Sequence, residues 1–212
     1  MRSAPSHDCP HCPRLVAFRA AARRREPGWH NAPVPSFGDP AARLLIVGLA
    51  PGLAGANRTG RPFTGDGAGN ILYPALARFG WSRGTFQARP DDGLELVDGR
   101  ITNAVRCVPP ANKPTGAEIR TCRSFLAGEL SASAAPRAIL ALGRIAHDST
   151  VRALDRKPAA LPFAHAGWHE LGDGRVLASS YHCSRYNMNT GRLTEAMLDA
   201  VLARLRRHLD GR

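Results

Sequence analysis

The chain has 212 residues, 43% hydrophobic and 22% charged, enough for one globular domain with a full core, so wholesale disorder is excluded. No apolar run approaches the length of a membrane span, and residues 1–12 lack the apolar stretch of a secretory signal, so a cytoplasmic protein is expected. With 29 Lys+Arg against 17 Asp+Glu the formal net charge is +12, which favours a polyanionic partner, nucleic acid before a membrane surface.

In chain order, residues 1–40 read as an arm. It carries the close pair Cys9-Pro10-His11-Cys12, a helical stretch from Arg14 to Arg25 with Arg19, Arg23, Arg24 and Arg25, and a proline-rich link from Pro27 to Pro40. The core begins at Arg43-Leu44-Leu45-Ile46-Val47-Gly48, a short apolar run closed by glycine, as in a buried parallel strand. Similar runs follow at Ile101 to Val105, Ala138 to Gly143 and Arg175 to Ser179. Asp98-Gly99 suggests a hairpin turn ahead of the first of these. Thr115-Gly116-Ala117-Glu118 is a capping box, behind which Ile119, Cys122, Leu126 and Leu130 recur on one helical face. Leu193, Met197, Val201, Leu205 and Leu209 form the core stripe of a C-terminal helix. Strands alternating with helices predict a parallel sheet covered on both faces, with ligands beyond the carboxyl ends of the strands. The whole chain, 1–212, is expected to form a single domain.

Five cysteines without a secretory signal argue against a disulfide framework. Cys9, Cys12, Cys107 and Cys122 could enclose a tetrahedral zinc or a cubane iron–sulfur cluster, and spacing does not choose between them.

The loop after the first strand, residues 48–70, holds seven glycines, which let backbone amides approach a ligand closely. It fits neither the dinucleotide fingerprint nor the P-loop, since G-x-G-x-x-G and Gly-Lys-Ser/Thr are both missing. The loop after the last strand, Tyr181 to Arg192, is rich in hydroxyls, amides and arginines suited to phosphate oxygens.

These loops carry a resemblance. Gly48-Leu49-Ala50-Pro51-Gly52, Gly55-Ala56-Asn57-Arg58-Thr59-Gly60-Arg61 and Phe63-Thr64-Gly65-Asp66 resemble the first motif of the uracil-DNA glycosylase superfamily, in the form of its family 5, the type b enzymes. The His182 loop, ending Asn189-Thr190-Gly191-Arg192-Leu193, resembles the second motif, and the four cysteines resemble the pattern of families 4 and 5. The resemblance implies an α/β/α sandwich around a four-stranded parallel sheet, and a structural [4Fe–4S] cluster on Cys9, Cys12, Cys107 and Cys122. It leaves out Cys183, which stands where such enzymes commonly carry proline.

On this reading DNA carrying uracil, or other deaminated bases such as hypoxanthine, is the partner, no membrane is involved, and the chain works as a monomer. A base buried in duplex DNA must be flipped out, then stacked and read at its edge. Gly48, Ala50, Phe63 and Asn103 are the expected base-binding residues, with Phe63 as stacking platform and Asn103 presenting an amide to a pyrimidine edge. His182 is the expected donor to the departing base, where charge develops. Leu49 and Ala50 are apolar where much of the superfamily carries a water-orienting group, so Asp66 is expected to orient water or stabilise the sugar cation, or to cap the helix leading into Ile71 and Leu72, or both. Arg58, Arg61, Ser184, Arg185 and Arg192 are the expected DNA contacts. Lys113 and Lys157, the two lysines, match no nucleophile position, so no lyase step is expected.

Two other readings are a non-catalytic sensor of uracil-containing DNA, motivated by Leu49 and Ala50, and a zinc protein whose arm binds nucleic acid. A covalent histidine of the kind found in one related group is not expected at His147, because no basic insertion accompanies it.

Overall fold

Leu44, Ile46, Leu140 and Val176 point to one side of a sheet, and Leu45, Val47, Ile139 and Leu177 to the other; all are buried. Period-2 alternation of this kind, apolar on both faces, requires cover on both faces. The computed structural model describes residues 4–132 and 136–211. In chain order its elements begin with α1 (Pro13–Arg25), β1 (Phe37–Gly38), β2 (Leu44–Gly48), α2 (Ala56–Thr59) and α3 (Gly69–Arg78). Next come β3 (Ser82–Arg83), β4 (Glu95–Leu96), β5 (Gly99–Asn103), α4 (Gly116–Leu130), β6 (Ala138–Leu142) and α5 (Arg144–Ala153). The chain ends with β7 (Trp168–Glu170), β8 (Val176–Ser180), α6 (Arg185–Asn189) and α7 (Glu195–Leu209).

The main sheet runs β1-β5-β2-β6-β8-β7. Its four central strands are parallel, as expected, with Ile46 opposite Ile101 and Leu140. Two short antiparallel strands, β1 on β5 and β7 on β8, extend the edges. Leu72, Tyr73 and Leu76 of α3 and Leu198, Leu202 and Leu205 of α7 cover one face; Leu126 and Leu130 of α4 and Ala146 and Val151 of α5 cover the other. Each fully buried leucine or isoleucine contributes about 1.5–3 kcal/mol. The result is an α/β/α sandwich.

Three local details depart from expectation. Asp98-Gly99 is not a hairpin turn, because β4 pairs with β3 in a separate two-stranded sheet. Asp98 instead takes a left-handed φ of 53° and receives the Arg43 backbone N–H at 2.8 Å and Nε at 2.6 Å, fixing where β2 begins. Strand β5 stops at Asn103 rather than Val105. The proline-rich link is packed, not free: residues 31–34 are buried. Asn57 Nδ2 donates to Asn31 Oδ1 at 2.9 Å, and the N–H of His30 donates to the Arg58 carbonyl at 3.0 Å. The arm thereby holds the glycine-rich loop.

The capping box closes as the sequence predicts, with Glu118 N–H donating to Thr115 Oγ1 at 3.3 Å and Thr115 N–H to Glu118 Oε2 at 2.7 Å. The Glu118 carboxylate also accepts both Nε and Nη2 of Arg14 at 2.7 Å, a bidentate tie between α1 and α4.

Candidate active site

The carboxyl ends of β2 and β5 lie side by side, Gly48 opposite Asn103, beneath a cavity of about 500 Å³. The polar side chains lining it are those of Asp66, Asn103, Asn112, His182, Ser184 and Arg185; Phe63, residues 49–56 and the 65–68 turn complete the wall. Two loops distant in sequence thus meet, because parallel strands open both at the same edge of the sheet.

Gly48 keeps this floor open. A Cβ there would stand 2.8 Å from two atoms of the Phe63 ring and closer still to Asn103 Oδ1. Asn103 is 3% exposed, and its side-chain amide has no hydrogen-bond partner among the described residues. The amide opens into the cavity, where it is available to a ligand.

Phe63 has a left-handed φ of 53°, a strain of order 1–3 kcal/mol for a bulky residue. Its neighbours impose that turn. Tyr73 Oη and Thr64 Oγ1 donate to the Pro62 carbonyl at 2.7 and 3.2 Å, while the Phe63 carbonyl presses on Gly69, where any side chain would collide with it. The His182 imidazole stands near-parallel to the Phe63 ring, centroids 5.8 Å apart and 26° between planes. Burial pushes the His182 pKa below the ordinary imidazole value, against a weaker opposite pull from Asp66. The ring is therefore neutral at pH 7 and can donate one hydrogen bond. Asn187 Nδ2 donates to the His182 carbonyl at 2.8 Å and steadies the loop.

Asp66 divides its two oxygens. Oδ1 accepts the Ala68 N–H at 3.1 Å, tying down the entry to α3. Oδ2 lies against Gly52 and Gly55, where a Cβ would come within 3.2 and 2.6 Å of it, and it has no hydrogen-bond partner among the described residues. One oxygen stabilises the turn; the other faces the cavity.

The expected DNA contacts separate. Ser184 Oγ caps α6 by accepting the Asn187 N–H at 3.3 Å, and exposed Arg185 lies across Gly67 at the rim. Arg58 is exposed, its Nε donating to the Ala54 carbonyl at 2.8 Å. Arg192 lies 4.8 Å over the Tyr181 ring and borders an adjoining cavity that shares Leu49 and His182 with the first.

Arg61 does not belong with them. It is 5% exposed, its Nη1 and Nη2 donate to Asp92 at 2.8 and 2.7 Å, and its Nε donates to Thr64 Oγ1 at 2.8 Å. Its guanidinium also lies over Phe37, Tyr73 and Phe86. Each of its three nitrogens already donates and the group is buried, so it is not presented to a phosphate; Arg61 instead anchors the glycine-rich loop to the Asp92 segment. The Arg61 guanidinium holds the Asp92 carboxyl well below the usual carboxylate range.

Tyr186, 71% exposed in the first turn of α6, and Asn112 were not singled out from the sequence. An aromatic inside the polar loop after His182 was a usable signal for the tyrosine; Asn112 gave none.

On the far side of Val105, Cys9, Cys12, Cys107 and Cys122 line one small pocket with Leu15 and Phe125. Arg19, 3% exposed, donates from Nη1 to Cys107 Sγ at 3.2 Å, and the Arg106 backbone N–H donates to Cys122 Sγ at 3.3 Å. Both donors suit thiolate sulfur. Burial pushes the free thiols up, Cys107 to about 11 and Cys122 to about 12. Among the described residues no group of three or more His, Cys, Asp or Glu side chains is arranged to hold a single metal ion. Cys183 is fully buried in the core beneath α7, its thiol pushed up to about 12. His147 is also fully buried, with Nδ1 2.6 Å from Ser179 Oγ and Nε2 2.7 Å from the Leu161 carbonyl.

Residues 35–206 match the Uracil DNA glycosylase superfamily, and the chain belongs to that superfamily. It is 47% identical to the Type-5 uracil-DNA glycosylase of Thermus thermophilus over 94% of this chain and 93% of that one. It is 44% identical to the Type-5 uracil-DNA glycosylase of Pyrobaculum aerophilum, over 93% of this chain and 87% of the relative. The Type-5 uracil-DNA glycosylase of Mycobacterium bovis is 46% identical, over 91% and 75%.

Proposed function

We propose that this chain is a monofunctional uracil-DNA glycosylase of base-excision repair: it draws uracil out of DNA and hydrolyses its N-glycosidic bond, leaving an abasic site. The observation that carries this is the meeting of Phe63, Asn103, His182 and Asp66 around one cavity. Uracil stacks on Phe63 while the unpaired Asn103 amide pairs with its polar edge, replacing the hydrogen bonds lost from the duplex. As the bond breaks, negative charge moves onto the base and positive charge onto the sugar. Neutral His182 donates to a base oxygen, an interaction that strengthens as that oxygen becomes anionic. Asp66 Oδ2 stabilises the sugar cation and orients the attacking water. Arg58, Arg185 and Arg192 contact phosphates, and Tyr186 fills the gap in the duplex.

Among the described residues lining the cavity none is a lysine, which supports hydrolysis without a lyase step. The apolar Leu49 and Ala50 leave room for hypoxanthine as a second substrate. The soft donor set of Cys9, Cys12, Cys107 and Cys122, the apolar wall, and the N–H groups on the sulfurs of Cys107 and Cys122 fit a [4Fe–4S] cluster, which takes one thiolate per iron. Such a cluster would cross-link the arm to the loop after β5 and to α4, a structural role. Among the described residues no helix is long and apolar enough to span a membrane, and action in the cytoplasm, on the nucleoid of a bacterium, goes with this reading.

The test is alkali-dependent strand cleavage of oligonucleotides carrying one uracil, one hypoxanthine or only normal bases. Cleavage at uracil that needs alkali supports the proposal. Tight, salt-sensitive binding without release of base would favour a sensor instead. A purified protein that is colourless and carries one zinc would remove the cluster.

A further inference from the structure

Away from the catalytic cavity the sheet ends on β7, whose outer side pairs with no strand among the described residues. The ladder fixes which backbone groups are left over. The Gly167 carbonyl accepts the Ser179 N–H at 3.0 Å, and the Leu171 N–H donates to the Arg175 carbonyl at 2.9 Å. In an antiparallel pair, residues that bond to the partner strand alternate with residues that face away from it. Gly167, His169 and Leu171 therefore bond to β8 and its turn, and Trp168 and Glu170 direct their N–H and C=O groups outward. Nothing among the described residues takes those groups up.

Beside this open edge, on the face covered by α7, lies a groove of about 320 Å³. Its floor is apolar, formed by Trp168, Ala178, Met197 and Val201, and Arg204 and Arg207 of α7 stand at its rim. Both arginines are exposed, and neither has a hydrogen-bond or ion-pair partner among the described residues. Arg206, between them in sequence, is by contrast engaged, donating to the Phe79 carbonyl at 2.9 Å. The Arg204 guanidinium lies over the Trp168 ring, 4.1 Å from its centroid. Stacking occupies the face of a guanidinium and leaves its N–H edge for a planar carboxylate.

We propose that this groove is a docking site for an acidic peptide segment of a partner protein. The segment adds to β7 as a further strand, an apolar side chain fills the groove beside Trp168, and its carboxylates meet Arg204 and Arg207. The groove shares no lining residue with the cavity of Asp66 and His182, so the inference goes beyond the glycosylase reading and does not depend on it. Three features select this occupant. A row of outward N–H and C=O groups matches another peptide backbone, and a nucleic acid has no such row. The apolar floor is covered by a side chain and not by a phosphate. Two uncompensated arginines attract carboxylates and disfavour a second copy of this chain, which would bring the same arginines and a +12 charge to the same edge. Glu170, exposed two residues along the strand, sets the polarity by placing the carboxylates of the peptide at the Trp168 end.

The probe is a fluorescein-labelled peptide in which aspartates flank a Leu-Thr-Phe-Thr-Leu core, followed by fluorescence anisotropy. Saturable binding is expected, weaker by about 10-fold in the double variant Arg204→Ala with Arg207→Ala, the scale of two exposed ion pairs. Replacing the aspartates of the peptide by asparagines is expected to cost as much. N-methylation of alternate residues of the core is expected to abolish binding in one register, where it removes the donors facing β7, and to spare it in the other. The affinity of the double variant for a uracil-free duplex oligonucleotide is expected to change far less than its affinity for the peptide. No saturable binding below about 1 mM, equal binding by the double variant, or indifference to N-methylation in both registers would overturn the proposal. So would a duplex affinity that falls as far as the peptide affinity, which would make the groove a DNA surface. Self-association of the chain that Trp168→Glu abolishes would give the edge to a second copy, and would overturn the proposal too.

Discussion

Replacing Gly48 by alanine tests how tightly the base pocket is built. The new Cβ would lie 2.8 Å from Cε2 and Cζ of Phe63, about half an ångström inside ordinary carbon contact, and would overlap Asn103 Oδ1 more severely. Neither neighbour yields easily: the Phe63 backbone is pinned by Gly69 and the hydrogen bonds to Pro62, and Asn103 ends a strand registered against Gly48 itself. Overpacking of this kind costs about 1–3 kcal/mol, and for a chain of this size each kcal/mol lowers Tm by about 2–4 °C. The effect on catalysis is larger than that on stability, because displacing a reading group by about 1 Å can cost 10²-fold in rate, or about 2.7 kcal/mol of barrier. Single-turnover release of uracil and a thermal melt on the same sample measure both. A Gly48→Ala protein that melts normally and excises at the unmodified rate would refute the placement of Asn103 and Phe63 as the base-reading pair.

Arg61→Met is expected to cost about 3–5 kcal/mol, since it leaves the Asp92 carboxylate buried without its partner; partial recovery in Arg61→Met with Asp92→Leu would confirm the cause. An Arg61→Met protein of normal stability but shallower salt dependence of DNA binding would return Arg61 to the phosphate contacts. For pH, burial lowers the folded pKa values of His30, His147, His165 and His182 below 6.5. Between the lowered values and 6.5 the unfolded chain binds more protons, so these groups contribute full stability above about pH 6.5 and lose it as pH falls. Melting points are expected to drop from pH 7 to 5, and excision to hold from pH 7 upward; a rate that falls as pH rises through 7 would mean that His182 acts as imidazolium. Cys122→Ala is expected to abolish broad absorption near ~400 nm and iron content and to lower Tm, which iron analysis and a melt would check together.

Much of this arrangement is legible along the chain. The apolar runs at 44–47, 138–142 and 176–178 give the parallel strands because burial on both faces needs no polar alternation, and the capping box announces α4 because both its hydrogen bonds are local. The residues that failed to show themselves depend on distant partners. Nothing near Arg61 foretells Asp92, thirty-one positions on, so a buried pair reads as a free cation. Asp98-Gly99 has the composition of a hairpin turn, yet the tie from Asp98 to Arg43 and the pairing of β4 with β3 decide its conformation. The edge strands β1 and β7, two and three residues long, are too short for any periodicity. Asn112 sits among prolines, where loop composition masks a side chain that only the tertiary fold brings to the cavity.

The central claim is that Asp66 and His182 act on one base in one cavity. Free uracil released from a single-uracil oligonucleotide, followed under single-turnover conditions for the unmodified protein and for Asp66→Asn, tests it most directly. The account predicts release by the unmodified protein and a loss of about 10²–10³-fold in Asp66→Asn, the scale of removing one group aimed at transition-state charge, with affinity for abasic-site DNA retained. Equal rates in the two proteins would contradict it and move the chemistry away from Asp66.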